Sequence, residues 1–349
     1  MTRWQRQLAN HQSALAMLRE RGLPVEPPPG GQPVRLTPHL ARLVGDDPAP
    51  CPIARQFLPD PRENRRLPGE REDSVAEEAC KVAEVLIHAY PDRALLMCTR
   101  ECAAYCRFCF RKRLVGRPAE TDDARFAEAF AYLRGHPEIH EVILSGGDPL
   151  TLADDRLDYL LAELRRLPGV RVVRLHTRIL TALPERVTPR LCALLSRHEV
   201  MYVNCHINHP AELTPEALAA ARRLRRAGLA LGSQTVLLKG VNDNLATMRA
   251  LCLGLYHAGI RPYSLFHCEA VAGCGHFRPT LAAGQEIWRG LQGWISGMAV
   301  PRYVLDAPEL RKIPLFPGYA EPRPDGTWNL RNYQGRETLY REPGCDGTA

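Results

Sequence analysis

The sequence has only four lysines, Lys81, Lys112, Lys239 and Lys312, among 46 basic residues. Any chemistry that requires a lysine amine therefore has few places to reside. No apolar run approaches the roughly 18 residues a membrane-spanning helix requires, so no membrane partner is expected. The opening MTRWQRQLANHQ has no apolar segment and no cleavage site of the secretory kind, and a cytoplasmic location is expected. There is no internal repeat and no low-complexity tract. The formal charge of +7 is small, and the arginines form no clustered stripe, so no nucleic-acid partner is expected. What is present is 349 residues with 45% hydrophobic content, enough for one large domain or two ordinary ones.

Twelve cysteines stand out against this background. A cytoplasmic protein keeps its thiols reduced, so clustered cysteine there points to metal or catalysis rather than disulfides. Cys51, Cys80, Cys192 and Cys252 are scattered and are expected to be small buried hydrophobes. The stretch CTRECAAYCRFCFRKR, residues 98 to 113, is different: four cysteines lie close together and basic side chains follow.

Residues 1–92 read as a helical N-terminal region. QRQLANHQSALAMLRERG starts it, Thr37 before Pro38 is a helix N-cap, and SVAEEACKVAEVLIHAY reads as a further helix. From residue 93 to about 300 short apolar runs alternate with amphipathic ones. The apolar runs are ALLMCT, EVILSG, RVVRLH, EVMYVNCH, LALGSQTVL and RPYSLFH. The segments between them place apolar residues three and four apart, the period of a helix with one buried face. This alternation predicts an α/β fold with a parallel sheet covered by helices, as an open sheet or a partial barrel of six strand–helix units. Ligands then belong at the C-terminal strand ends. A last helix in AGQEIWRGLQGWISG and a candidate strand in PRYVLDAP lead into a C-terminal segment, 301–349.

Cys102, Cys106 and Cys109 follow the first predicted strand with the spacing C-x3-C-x2-C. Thiolates suit zinc or iron–sulfur clusters. Structural zinc takes four ligands, usually in two separated pairs. A compact set of three suits a 4Fe–4S cube with one iron left open, while zinc or inert thiols remain the alternative. Cys98 belongs to the strand and is expected in the core. The placement resembles the radical SAM superfamily, in which the open iron holds the amino and carboxylate groups of S-adenosylmethionine. Ser145, Gly146, Gly147 and Asp148 end the second strand; a turn alone explains such a sequence. After the cysteines it resembles the superfamily motif whose backbone meets the cofactor.

Longer stretches narrow the match. YPDRALL, YCRFCFRKR, LSGGDPL, HTRILTALPERVTP, NCHINHPAELT, GSQTVLLKGVND, RPYSLFHCE, GHFR and VLDAP resemble the lysine 2,3-aminomutase family, in order, from about residue 35 to 340. The resemblance implies a partial (β/α)6 barrel of radical SAM type and a second cofactor, pyridoxal 5′-phosphate, held by a lysine. Lys312 in DAPELRKIPLFPGY stands at the matching point, with Glu309, Leu310 and Arg311 where the family often runs glycines. Arg111 matches the position that clamps a substrate α-carboxylate, and Glu269 and Asp306 match two acidic positions that meet a distal cation. Gln234 and Arg93 match positions near the pyridoxal phosphate; the companion arginine of Arg93 is Ala89 here. His206, Asn208 and His209 are polar residues at the barrel mouth, divided between a cofactor role and loop capping. The shorter branch of the family, without a zinc-linked C-terminal extension, is the nearer likeness: position 244 is Asn and the tail has only Cys345, so no zinc is expected. That branch includes enzymes making β-lysine for elongation factor P.

The function so implied is movement of the amino group of a basic α-amino acid, lysine first, to the β-carbon. An electron donor such as flavodoxin or ferredoxin would reduce the cluster, and homo-oligomerisation stays open. Arginine 2,3-aminomutation, epimerisation and a non-catalytic iron–sulfur binding protein are the alternatives.

Overall fold

A computed structural model describes residues 1–29, 31–45, 51–117, 122–316 and 318–341. Cys345 lies outside the described residues. One ten-stranded sheet runs in chain order from β1 (Lys81–Ala83) and β2 (Leu86–Tyr90) to β10 (Arg311–Pro314). Its parallel centre comprises β3 (Arg93–Thr99), β4 (Glu141–Gly146), β5 (Val172–Thr177), β6 (Tyr202–His206), β7 (Ala230–Leu237), β8 (Arg261–His267) and β9 (Arg302–Ala307). All six predicted strands are present, and the candidate strand at 302–307 adds a seventh.

Alternation along these strands decides what each face does. Val142 and Leu144 of β4, and Val173 and Leu175 of β5, join the apolar core under the helices. Ser145, Arg174 and His176, on the intervening positions, face a cavity instead. Side chains from β2 through β10 line that one cavity, so the sheet wraps around it. No strand pairing closes the ends among the described residues, and the architecture is a partial barrel. The covering helices fall where the three- and four-residue spacing placed them. Pro189–Arg197, for example, buries Leu191, Cys192, Leu194 and Leu195 on one face.

The N-terminal region departs from expectation in one place. SVAEEACKVAEVLIHAY is not a helix: it contains a 3-10 turn at Glu78–Cys80, then β1 (Lys81–Ala83) and β2 (Leu86–Tyr90). β2 pairs antiparallel with β3, Leu86 opposite Leu96. Alanine and glutamate favour a helix locally, but Val85, Leu86 and Ile87 are buried in succession as an added strand permits, and tertiary pairing overrides propensity. The other helices of this region form as read. Thr37 caps Pro38–Leu43, its hydroxyl accepting from the Leu40 N–H at 3.2 Å.

At the far edge β10 (Arg311–Pro314) turns back antiparallel on β9 and sets Lys312 opposite Asp306. Arg311 then reaches across the opening of the barrel and donates to the Val75 carbonyl at 3.3 Å and to the Cys80 sulfur. A small antiparallel sheet, β11 (Ala320–Pro322), β12 (Thr327–Arg331) and β13 (Glu337–Arg341), follows. No helix among the described residues is long and apolar enough to cross a membrane.

Among the scattered cysteines, Cys192 and Cys252 are buried as expected. Cys51 and Cys80 are only half-buried and have local tasks. Cys51 caps Pro52–Phe57, accepting from the Ala54 N–H at 3.5 Å, and Cys80 receives Arg311.

Candidate active site

The cavity holds about 280 Å³ and opens at the C-terminal ends of the parallel strands. Cys102, Cys106 and Cys109 line it from the loop after β3, whereas Cys98 is buried in the core. The end of β4 anchors that loop. Gly147 donates to the Thr99 carbonyl at 2.6 Å, and Asp148 N–H donates to the Glu101 carbonyl at 2.8 Å. A Cβ on Gly147 would stand 2.2 Å from the Glu101 carbonyl oxygen. Gly146 has φ +110, a conformation open to glycine. These glycines thus serve the turn reading by letting the cysteine loop pack on the strand, and they also line the cavity.

Burial pushes all three thiols up, Cys109 to about 12 and Cys102 well above its ordinary value, with Asp148 and the neighbouring sulfurs adding to it at Cys102. Arg178 acts the other way on Cys106: its Nη1 lies 3.0 Å from the sulfur. Among the described residues no group of three His, Cys, Asp or Glu side chains could hold a single metal ion. A mononuclear ion needs all its ligands about 2.3 Å from one point. A cube takes each thiolate on a separate iron, and three thiols facing one cavity beside a buried guanidinium fit that demand. Binding the cluster displaces the thiol protons.

Arg178 belongs to a buried network that the sequence did not reveal. Its Nη2 donates to Glu212 at 2.9 Å and to Gln56 at 2.6 Å, and its N–H donates to Asp148 at 2.6 Å. The Asp148 carboxylate also accepts from the Thr177 hydroxyl at 2.7 Å, and burial raises its pKa. It therefore orients the Arg178 loop while lining the cavity. Glu212 accepts from the Asn208 and His209 N–H groups at 2.9 and 3.0 Å. Asn208 and His209 do local work: the Asn208 side chain accepts from Val236 N–H at 2.9 Å, and His209 caps a 3-10 turn. His206 faces the cavity and is held well below its ordinary pKa by burial and by Arg178.

On the other side of the cavity Lys312 is the only lysine in the lining among the described residues. Lys239 is exposed, Lys81 pairs with Glu84 at 2.7 Å, and Lys112 donates to Cys274 at 3.3 Å. Burial lowers the Lys312 pKa; Asp306 opposes this, and Arg174 and Arg93 add to it. Its ammonium lies 5.0 Å from the Phe266 ring centroid. Arg93 stacks 3.7 Å from the Tyr90 ring centroid and pairs with Asp92 at 2.7 Å. Arg174 pairs with Glu141 at 2.8 Å, while its buried Nε has no hydrogen-bond partner. Gln234 lines the same wall. A lysine with a depressed pKa, two arginines and an orphaned buried N–H fit an aldehyde that carries a phosphate.

Arg111 is buried between Ser145 and Glu77, with its Nη1 3.1 Å from the Ser145 hydroxyl and its Nε 2.8 Å from Glu77. Glu269 is buried, and desolvation followed by repulsion from Asp306 pushes its carboxyl up to about 8. Burial raises Asp306 as well, against the pull of Lys312 and Arg311. The cavity thus gathers the site residues expected from the sequence except Asn208 and His209, which do not line it. It adds Glu77 and Arg174, and also His176 and Arg178, which lie in the quoted stretch HTRILTALPERVTP but were given no role there. Arg174 and His176 could have been found from their alternate positions in RVVRLH, since a polar residue there must point away from the apolar core.

The chain is similar in sequence to known proteins. The family model of the radical SAM superfamily matches residues 96–251, and that described as lysine-2,3-aminomutase matches 288–348. An L-lysine 2,3-aminomutase of Fusobacterium nucleatum is 38% identical over 88% of this chain and 73% of its own length. That of Clostridium subterminale is 38% identical over 88% and 74%. A glutamate 2,3-aminomutase of Clostridioides difficile is 37% identical over 89% and 74%.

Proposed function

The chain belongs to the lysine 2,3-aminomutase family of radical SAM enzymes, and from that premise we propose that it is a pyridoxal-phosphate-dependent aminomutase acting on a basic α-amino acid, lysine first. The observation that carries the cofactor assignment is Lys312, the one lysine in a cavity shared with the cysteine triad. When bound, the 4Fe–4S cluster and S-adenosylmethionine would supply hydrogen-abstracting radical chemistry, and pyridoxal phosphate would activate the substrate amino group for transfer.

The residues divide the remaining work. Cys102, Cys106 and Cys109 would hold the cluster, and Ser145, Gly146 and Gly147, which line the same cavity, would meet the S-adenosylmethionine. Lys312 holds the pyridoxal phosphate, its amine kept available by burial. Arg93 and Arg174 receive the phosphate; Arg174 takes the place left by Ala89. Arg111 receives the substrate α-carboxylate.

Glu269 and Asp306 choose the side chain. Two carboxyls whose ionisation is opposed by burial and by each other gain from a cation placed between them, whereas an acidic side chain would oppose their ionisation further. This favours lysine, arginine or ornithine over glutamate. The test has two parts. Borohydride reduction of the protein loaded with pyridoxal phosphate should label Lys312, and no label there refutes the cofactor assignment. The reconstituted enzyme should then convert a basic amino acid to its β-isomer, detected by mass spectrometry; turnover of glutamate alone refutes the substrate class.

A further inference from the structure

Arg111 does not stand alone in the cavity. The Glu77 carboxylate takes its Nε at 3.0 and 2.8 Å and also its Nη2, while Ser145 takes Nη1 at 3.1 Å. Both side chains of the ion pair are nearly buried, at 7% and 12% exposure, which makes the contact a fixed part of the wall. A guanidinium carries five N–H groups in a rigid fork. Glu77 occupies the side-on edge formed by Nε and Nη2. The end-on edge presents one N–H on each terminal nitrogen, and Ser145 takes one of the two N–H groups of Nη1. The Phe110 ring lies 4.7 Å from the guanidinium and covers one face.

The segment carrying Glu77 is itself built to hold it. Asp73 accepts from the Glu77 and Glu78 N–H groups at 3.0 and 2.9 Å. Ala76, the residue before Glu77, has φ +53, a left-handed conformation that costs a non-glycine residue energy and persists only where its surroundings impose it. Arg113 lies 3.3 Å from Asp73 and 3.2 Å from Glu78. From the other side Arg311, next to Lys312, holds Val75 and Cys80. One short segment is therefore tied both to the guanidinium and to the strand that bears the lysine.

We propose that Glu77 is a positioning residue for the reaction: it holds the Arg111 guanidinium side-on so that its end-on edge meets the substrate α-carboxylate in fixed register with Lys312. This rests on the proposed role of Arg111. It assigns work to an acidic residue that at first sight competes with the substrate.

The two possibilities have opposite signs. A competitor that is removed lets substrate bind more tightly, whereas the loss of a positioning group weakens binding. The experiment compares wild type, Glu77→Gln and Glu77→Ala, each reconstituted with cluster and pyridoxal phosphate. KM and kcat for L-lysine are measured, together with equilibrium dialysis of labelled L-lysine in the absence of S-adenosylmethionine. Glu77→Ala should raise KM and the dialysis Kd roughly tenfold or more, as expected for loss of a charged hydrogen-bonded pair. The isosteric Glu77→Gln, which keeps one acceptor oxygen, should give a smaller rise, and it serves if the alanine variant does not fold. Iron content and the visible absorbance of bound pyridoxal phosphate should match wild type. Unchanged or lower KM and Kd in Glu77→Gln overturns the inference. If wild type forms no β-amino isomer, the proposed reaction fails, and the dialysis values still decide whether Glu77 positions the carboxylate receptor.

Discussion

The buried carboxyl of Glu269 makes substrate binding depend on pH in a direction that can be worked out. Its pKa is pushed up to about 8, first by burial and then by repulsion from Asp306, with Lys312 opposing and Glu77 adding to the rise. At neutral pH the group is therefore largely protonated and carries no charge with which to meet an ammonium. A basic side chain entering the cavity must drive that proton off. At pH 7, one unit below 8, this costs about 1.4 kcal/mol, or about tenfold in affinity. The cost fades as pH rises through 8 and grows about tenfold per unit below it.

Proton counting isolates the effect. Isothermal titration of L-lysine into the pyridoxal phosphate form, in two buffers of different ionisation enthalpy, gives the number of protons released on binding. At pH 7 wild type should release nearly one proton more than Glu269→Gln, because the other groups that titrate are common to both. The same shift sets a stability trend. A carboxyl whose folded pKa is raised favours the folded state below its unfolded value and loses that contribution as pH rises from about 4.5 to about 8. Glu269→Gln should therefore unfold at a higher temperature than wild type at pH 9, with little difference at pH 5. Equal proton release by the two proteins would refute the argument that Glu269 receives the distal cation.

Gly147→Ala sets a Cβ 2.2 Å from the Glu101 carbonyl oxygen, so the cysteine loop must shift; iron bound after anaerobic reconstitution should fall, and stability by about 1–3 kcal/mol. Glu212→Gln leaves the buried Arg178 without its charge partner, and the denaturant midpoint should drop by the equivalent of about 3–5 kcal/mol. Thr37→Ala removes a helix cap and a hydroxyl bonded to the Ala182 carbonyl, and should cost about 1–2 kcal/mol by the same measurement while iron content stays at the wild-type level.

The parallel strands were legible because each carries an apolar face toward the helices and sits between segments of helical period. The hairpin at Lys81–Tyr90 was not, because its residues read equally as helix until β3 is there to pair with them. Site residues divide in the same way. The cysteine triad is compact in sequence, so spacing alone exposed it. Arg178, Glu212 and Gln56 are far apart in the chain and meet only once the Pro52–Phe57 helix packs against the barrel mouth. No local pattern encodes such a meeting.

The turn before Lys312 is strained and fastened in place. Glu309 and Arg311 both adopt left-handed backbone, at φ +66 and +63. The path of the chain is the one glycine takes most readily, here followed by residues for which it costs on the order of 1–2 kcal/mol each. Something must offset that cost, and the Arg311 side chain supplies it through Val75 and Cys80. A glycine there could make neither bond. The turn is thus strained but fastened to the segment holding Glu77. Lys312 and Arg111 are consequently joined, through Arg311 and the Glu77 segment, more rigidly than a turn without the Arg311 side chain would allow.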